Sequence, residues 1–310
     1  MTENLDAEVI AEVTRGDVVE SQHRGHLVLL KADGALKLSR GNPSALIYPR
    51  SSIKSIQAAA MMRAGLSLEP RLLALVASSH SGSEMHQKAV LEILALGGLN
   101  ESALLNAHDR PLGDEERRDW GSKAPTSLAQ NCSGKHAGML LTCVINNWST
   151  HDYLDPEHPL QVLCREELEG LAGEDVSRTS IDGCGAPLFL ISLLGLAEAI
   201  HAMTISKDPI HRNILQACRD FPEIVAGKGR LATRKMLEVP GLFMKEGAEG
   251  VLIGSLPDGR TFAFKIEDGS SRPLAVLVVA VLSEFEIASP VENAPIYGGN
   301  KIVGAIRAHL

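Results

Sequence analysis

Features that nucleic-acid-binding and membrane-surface proteins usually share are missing from this sequence. The 310 residues carry no basic excess, because the formal net charge is −8. Aromatic residues make up only 4 % of the chain, too few to build a surface on which bases stack. Nucleic acids and anionic membranes both attract basic patches, so neither is expected as a partner.

Long hydrophobic runs are missing as well. The most apolar stretch, Leu274 to Leu282, is about half as long as the roughly 18 residues that a membrane helix needs. Met1 to Thr14 is acidic and has no apolar core of the kind found in signal peptides. We therefore expect a cytoplasmic protein.

Cysteine usage fits that compartment. The odd number of cysteines and the absence of any CxxC pair exclude a disulfide framework. The cysteines are Cys132, Cys143, Cys164, Cys184 and Cys218.

The order of predicted elements indicates the fold class. Alternating residues predict a hairpin in Val18–Leu38, and Val251–Ser255 with Thr261–Ile266 predict another around Pro257–Gly259. Between them the patterns predict mainly helices, among them Lys54–Ala64, Met85–Leu96, Gly134–Trp148, Pro159–Leu171 and Leu188–Met203, with a long loop at Asn106–Gln130, a short strand at Val176–Ile181 and a last helix at Ser271–Phe285. Steady βαβ alternation is not present.

The sequence therefore predicts an α+β fold with three α/β/α layers, in which both chain ends form one antiparallel sheet and a helical lobe is inserted. We expect a single domain, 1–310, with an α/β lobe at about 1–50 and 240–310 and a mainly helical lobe at about 51–239.

Ser51 and Lys54 form a Ser-x-x-Lys pattern at the start of a predicted helix. This spacing puts both side chains on one face, where a lysine with a lowered pKa could take the proton of the serine hydroxyl. The alternative is an ordinary helix start with an exposed lysine. The pattern occurs once in the chain and follows a β-rich segment, as it does in Ser/Lys acyl-transfer enzymes.

A second polar cluster, Ser78–Ser83, lies at a helix junction and includes Ser79 and His80. Serine clusters at such junctions usually cap the helix. The functional alternative is a second hydroxyl that relays protons or binds substrate.

Two loop cysteines suggest a metal site as one possibility. Cys132 lies in Asn131–His136 at a helix start, and Cys184 lies in Asp182–Gly185. Thiolates suit zinc, although a lysine ligand such as Lys135 would have to bind as the neutral amine. Lys265, in the middle of the predicted strand Phe262–Ile266, faces either solvent or a site.

Taken in order, Arg-Ser-Ser-x-Lys, Ser-His-Ser-Gly, Asn-Cys-Ser-Gly-Lys-His, Asp-Gly-Cys-Gly-x-Pro and Lys-Ile-x-Asp-Gly resemble the rhizobial-type (class 3) L-asparaginases. The resemblance covers roughly Val18 to Leu282. Ser83 stands where the family often has Glu, and Val291–Leu310 has no counterpart that we can match. That family is similar in fold to serine β-lactamases and serine-dependent glutaminases.

The resemblance implies a hydrolase that converts L-asparagine to L-aspartate and ammonia, expected to be a homodimer. It implies that Ser51 is the nucleophile and Lys54 its base, with Ser79 and Lys265 as a second tandem. It implies one zinc ion per chain on Cys132, Lys135 and Cys184, with Asp182 in the outer shell of the ion, and it implies that Arg50 helps to arrange the pocket. The substrate-binding residues that we predict are Arg50, Asp182 and His80.

Three other functions stay open on the sequence. A glutaminase or other small-amide hydrolase would use the same scaffold. A penicillin-binding or β-lactamase-type enzyme usually carries Ser-Asp-Asn and Lys-Thr-Gly, which this chain lacks. A non-catalytic, zinc-stabilised binding protein would release no ammonia from asparagine.

Overall fold

The computed structural model describes residues 6–292 and 294–310, which form strands at both chain ends and helices between them. The strands are β1 (Glu8–Arg15), β2 (Val18–Leu30), β3 (Leu36–Arg40), β4 (Leu46–Ile47), β5 (Arg178–Ile181), β6 (Pro187–Ser192), β7 (Phe243–Glu246), β8 (Val251–Ser255), β9 (Thr261–Ile266), β10 (Pro295–Gly298) and β11 (Lys301–Ala308). The helices are α1 (Lys54–Arg63), α2 (Pro70–Val76), α3 (Glu84–Leu96), α4 (Asp114–Trp120), α5 (Ser133–Ile145), α6 (Pro159–Ala172), α7 (Leu193–Ile205), α8 (Pro209–Asp220), α9 (Pro222–Val225), α10 (Leu231–Glu238) and α11 (Leu274–Glu284), with short 3₁₀ helices at Arg50–Ile53 and Glu101–Ala103.

The main sheet is antiparallel and draws its strands from both chain ends. Its order is β10-β11-β1-β2-β9-β8-β7, and β3 pairs with β2 in addition. Strand β7 lies at one edge, and the helical segment 51–239 is inserted between the two sets of strands. The predicted α+β architecture is confirmed. The division into two lobes stays a prediction.

Helices pack on the sheet through apolar side chains. Helix α7 contacts β2, β8 and β9, and α11 contacts β11. A small buried cluster at the α11 contact combines Ala11, Val13, Val276 and Ile306. Among the described residues, no helix combines the length and the apolar character needed to cross a membrane.

Two predicted segments differ from the structure. The segment Asn106–Gln130, predicted as a long loop, contains helix α4. The apolar run at 188–203 is not one helix, because strand β6 occupies its first part and α7 begins only at Leu193. The Ser192 hydroxyl accepts a hydrogen bond from Gly195 N at 2.8 Å and so caps α7. The C-terminal segment, which matched no motif, forms β10 and β11, and β11 pairs with β1.

Candidate active site

Ser51 lies in the 3₁₀ turn that leads directly into α1. The turn of about three residues places Ser51 and Lys54 on the same face. Ser51 is 9 % exposed, and no described residue makes a hydrogen bond to its Oγ. The preceding residue, Arg50, has φ +55°, a left-handed conformation that costs a non-glycine residue about 1–3 kcal/mol and is concentrated at functional sites. This hydroxyl is therefore free to meet a substrate.

Lys54 is buried, and its ammonium group contacts three acceptors. Its Nζ lies 2.5 Å from Ser78 O, 3.1 Å from Ser79 Oγ and 3.0 Å from Cys132 Sγ. A protonated lysine has three N–H donors, so each donor has an acceptor here. The role of Lys54 as the base for Ser51 stays a prediction, because the serine hydroxyl that Lys54 Nζ contacts is that of Ser79.

Ser79 joins two buried lysines. Its Oγ lies 3.1 Å from Lys54 Nζ and 2.9 Å from the Nζ of Lys245, which also donates to Glu246 O at 2.8 Å. Burial, followed by the neighbouring charge of Lys54, places the pKa of Lys245 well below the usual lysine value. A neutral Lys245 can accept the Ser79 proton, so this pair has the composition of a nucleophile or relay with its base.

Ser79 contacts Lys245 and not Lys265, the partner that the resemblance implied. Lys265 Nζ bonds to the carbonyls of Glu249 and Ile266, each at 2.6 Å. Its strand, β9, is separated from the edge strand β7 by β8, so Lys265 lies two strands away from the Ser79 contact. Lys245 follows the apolar residues Phe243–Met244, and a search for lysines in short apolar strands would have included it.

The structure brings together the three predicted metal ligands. Cys132 is the N-cap of α5, and Lys135 lies in the first turn of the same helix. Cys184 lies in the turn between β5 and β6, and its Sγ lies 3.4 Å from Lys135 Nζ. Both thiols are buried. Because Lys54 contacts Cys132, this cluster is directly continuous with the Ser79–Lys245 pair.

The electrostatics of the two thiols are strongly asymmetric. The hydrogen bond from Cys132, together with the charge of Lys135, lowers the pKa of Cys184 to about 5 despite burial. The same hydrogen bond and burial raise the pKa of Cys132 to about 12. Burial alone would lower the pKa of Lys135, but the charges of Cys184 and Cys132 raise it. The cluster therefore combines a Cys184 thiolate, a Cys132 thiol and a Lys135 ammonium, and its net charge is zero.

One distance between these donors matches the spacing expected in a zinc site. Bonds of about 2.3 Å to sulfur and 2.0–2.1 Å to nitrogen, at a tetrahedral angle, separate the donor atoms by about 3.5 Å. The observed Lys135 Nζ to Cys184 Sγ distance is 3.4 Å. Within residues 6–292 and 294–310, no group of three His, Cys, Asp or Glu side chains is arranged to hold a metal. Zinc binding by two thiolates and an amine stays a prediction.

Arg50 and Asp182 form an ion pair beside this cluster. Arg50 Nε lies 2.8 Å from Asp182 Oδ1, and Gly183 N donates to the same oxygen at 2.8 Å. Burial opposes ionisation of Asp182, but Lys135 and Arg50 lower its pKa below the usual range. The two residues predicted to bind substrate thus bind each other.

His80 is fully buried next to Ser79. Its Nε2 lies 2.9 Å from Ser133 Oγ, and its ring stacks on His86. Burial and the neighbouring positive groups hold the pKa of His80 well below the usual histidine value, so this ring is neutral. A substrate contact for His80 stays a prediction.

A protein-family model matches nearly the whole chain. The family model described as L-asparaginase II matches residues 11–307. The chain belongs to the L-asparaginase II family. The match extends through most of the C-terminal segment that the motifs left unassigned, which includes strands β10 and β11. A search of curated protein sequences gives no significant match.

Several solved structures are similar to this chain at low sequence identity. Mglu in its glutamate form is 15 % identical with a TM-score of 0.50, and the alignment covers 85 % of this chain and 61 % of Mglu. A β-lactamase from Mycobacterium bovis is 13 % identical with a TM-score of 0.46, covering 84 % and 94 % of the two chains. A putative β-lactamase from Bacteroides dorei is 13 % identical with a TM-score of 0.43, covering 84 % and 93 %. This chain thus spans about three fifths of the length of Mglu.

Proposed function

We propose that this enzyme hydrolyses L-asparagine to L-aspartate and ammonia through a Ser/Lys nucleophile system. The observation that supports the proposal most strongly is the continuous chain of contacts from Lys54 through Ser79 to Lys245, which begins one turn from the Ser51 hydroxyl. The two lysines contact one buried serine and so form a route for protons. Amide hydrolysis needs two proton transfers, one that activates the nucleophile and one that protonates the departing ammonia.

The proton steps balance as follows. The proposed route starts with a proton on Lys54, whose Nζ has three acceptors in contact, and with Lys245 as the proton acceptor. Lys54 passes a proton to Ser79 Oγ while Ser79 passes its own proton to Lys245, which leaves Lys54 neutral. Ser51 Oγ then attacks the side-chain amide carbon and gives its proton to Lys54. The departing ammonia takes a proton from Lys54, and water hydrolyses the acyl-enzyme on Ser51.

Release of ammonia from asparagine is the direct test of this function. We expect ammonia from asparagine and no hydrolysis of a chromogenic β-lactam. A non-catalytic binding protein would give neither product. Purified protein that releases ammonia only from glutamine or from another small amide would overturn the asparagine proposal but leave the amidohydrolase family assignment intact.

We also propose that one zinc ion per chain is bound by Cys132, Lys135 and Cys184, with an open position toward the substrate. When bound, the ion would orient the substrate as a Lewis acid beside the Arg50–Asp182 pair.

Elemental analysis of protein purified without chelator should find about one zinc per chain, and Cys184→Ser should lose it. Chelation should raise KM more than it lowers kcat, because Ser51 supplies the nucleophile. The matched control is Cys143→Ser, since Cys143 is a buried cysteine outside this cluster. Metal-free protein with full affinity for asparagine would remove the zinc proposal.

Asparagine should be preferred over glutamine by at least about 10²-fold in kcat/KM, the upper end of what one methylene gives in a binding pocket. The reason is rigidity: Arg50 and Asp182 are fixed to each other at 2.8 Å and would hold the substrate's charged end. The carboxamide must then reach Ser51 Oγ at about 3–3.5 Å, and an additional carbon displaces it. Steady-state kinetics on both amides measure the ratio, and comparable values would exclude rigid anchors.

Two further proposals concern the state of the protein. We propose a homodimer, which light scattering on the purified protein would show as twice the chain mass. We propose a cytoplasmic location, which fractionation of the source cells would test.

A further inference from the structure

The segment between α9 and α10 contacts the backbone of Ser79 on both sides. Val225 O accepts a hydrogen bond from Ser79 N at 2.9 Å. Arg230 Nη1 donates to Ser79 O at 3.2 Å. Both polar backbone groups of the serine that joins the two lysines are therefore held by this one segment, Val225–Ala232.

The same segment is anchored to the strand that carries Lys245. The other guanidinium nitrogen of Arg230, Nη2, pairs with Glu246 Oε2. Glu246 Oε1 accepts a hydrogen bond at 3.0 Å from Ala232 N, in the first turn of α10, where a carboxylate is favourable. Burial opposes ionisation of Glu246, but Arg230 lowers its pKa below the usual range. This carboxylate is the immediate neighbour of Lys245 and is charged.

We propose that Arg230 is a positioning residue, which together with Glu246 holds the Ser79 loop and β7 in the relative position that places Ser79 Oγ on Lys245 Nζ. The proposal rests on the proposed function of this site. The guanidinium is suited to the task because its donors are rigid and planar, so one side chain can bridge a carbonyl and a carboxylate at a fixed angle.

The same two charges also act on Lys245, in opposite directions. The Nζ of Lys245 contacts Ser79 Oγ and Glu246 O, and the charges of Lys54, Glu246 and Arg230 act on it. Arg230 and Lys54 disfavour the charged lysine, and Glu246 favours it. Because Lys245 acts as a base when neutral, activity is lost as the pH falls through its pKa. Loss of the Arg230 charge should move that limb to higher pH, and loss of the Glu246 charge should move it to lower pH.

The kinetic test compares Arg230→Met with Arg234→Met. Arg234 is one turn along α10 and bonds to Gly229 O and Glu292 instead, so it is a matched control. Arg230→Met should lower kcat by about 10- to 100-fold, the cost of a displacement of about 1 Å, with KM changed by less than about threefold. Arg230→Lys keeps the charge but cannot bridge both acceptors, so kcat should fall partly while the pH limb stays near that of the wild type.

An NMR titration of lysine ¹³Cε signals separates this proposal from the proposed function, because it needs no substrate. The Lys245 signal is assigned by its loss in Lys245→Met. We expect its pKa to rise in Arg230→Met, to fall in Glu246→Gln and to stay unchanged in Arg234→Met. An unchanged Lys245 titration in Arg230→Met would overturn the proposal, even if the wild type hydrolysed no amide. Equal kcat losses in Arg230→Met and Arg234→Met would also overturn it, since that result indicates general destabilisation.

Discussion

Replacing Ser51 with alanine should lower the rate of ammonia release by about 10⁴-fold or more, because a nucleophile and its proton acceptors act as a unit. The structure gives this hydroxyl no hydrogen-bond partner among the described residues and places it one turn from Lys54. Lys54→Ala should lose nearly as much, and the double variant only a little more. Steady-state kinetics with asparagine measure all three.

The neighbouring Ser52 is the matched control for this prediction. It is fully buried, but its hydroxyl donates to Pro49 O at 2.7 Å and so belongs to the turn. Ser52→Ala should retain most of the activity, at a stability cost of about 1 kcal/mol for one lost hydrogen bond. If Ser51→Ala kept more than about a tenth of the wild-type rate, Ser79 would have to be considered as the nucleophile.

The sequence predicts the parts of this fold that depend on local patterns. Asp33-Gly34 and Pro257–Gly259 mark the β2–β3 and β8–β9 turns, because tight turns need residues that tolerate these backbone angles. The 188–203 run was predicted wrongly because apolar periodicity alone does not distinguish a buried strand from a buried helix. Ser192 was the available signal, since a serine inside such a run can start a helix.

In the candidate site, too, the local motifs could be predicted from the sequence and the long-range contact could not. Motifs that lie on one helix turn, such as Ser51 with Lys54 or Cys132 with Lys135, are visible as spacing in the sequence. Lys245 approaches Ser79 across 166 residues, and that contact depends on which strand forms the edge of the sheet. Strand order is a long-range property, so the local pattern led to Lys265 on β9 and did not identify Lys245 on the edge strand.

The comparison of Lys245→Met with Lys265→Met tests that choice directly. Both lysines lie on strands of the same sheet, but only Lys245 contacts Ser79 Oγ. Lys245→Met should lower kcat by about 10²- to 10⁴-fold, the usual contribution of a general base, while Lys265→Met should stay within about threefold. The acidic limb of the pH–rate profile should also disappear in Lys245→Met, because the amine that accepts the proton in its neutral form is gone.

Stability separates this loss from unfolding. Lys245 is 2 % exposed, and methionine has a similar volume without a polar group to desolvate. Lys245→Met should therefore unfold at the same temperature as the wild type or higher, while its activity is lost.

The double variant Ser79→Ala/Lys245→Met tests whether the two residues act in one step. Ser79→Ala breaks the same proton route as Lys245→Met, so the double variant should be about as slow as either single variant. Additive losses would mean that Ser79 and Lys245 act in separate steps, and a fully active Lys245→Met would return the role of base to Lys54 alone.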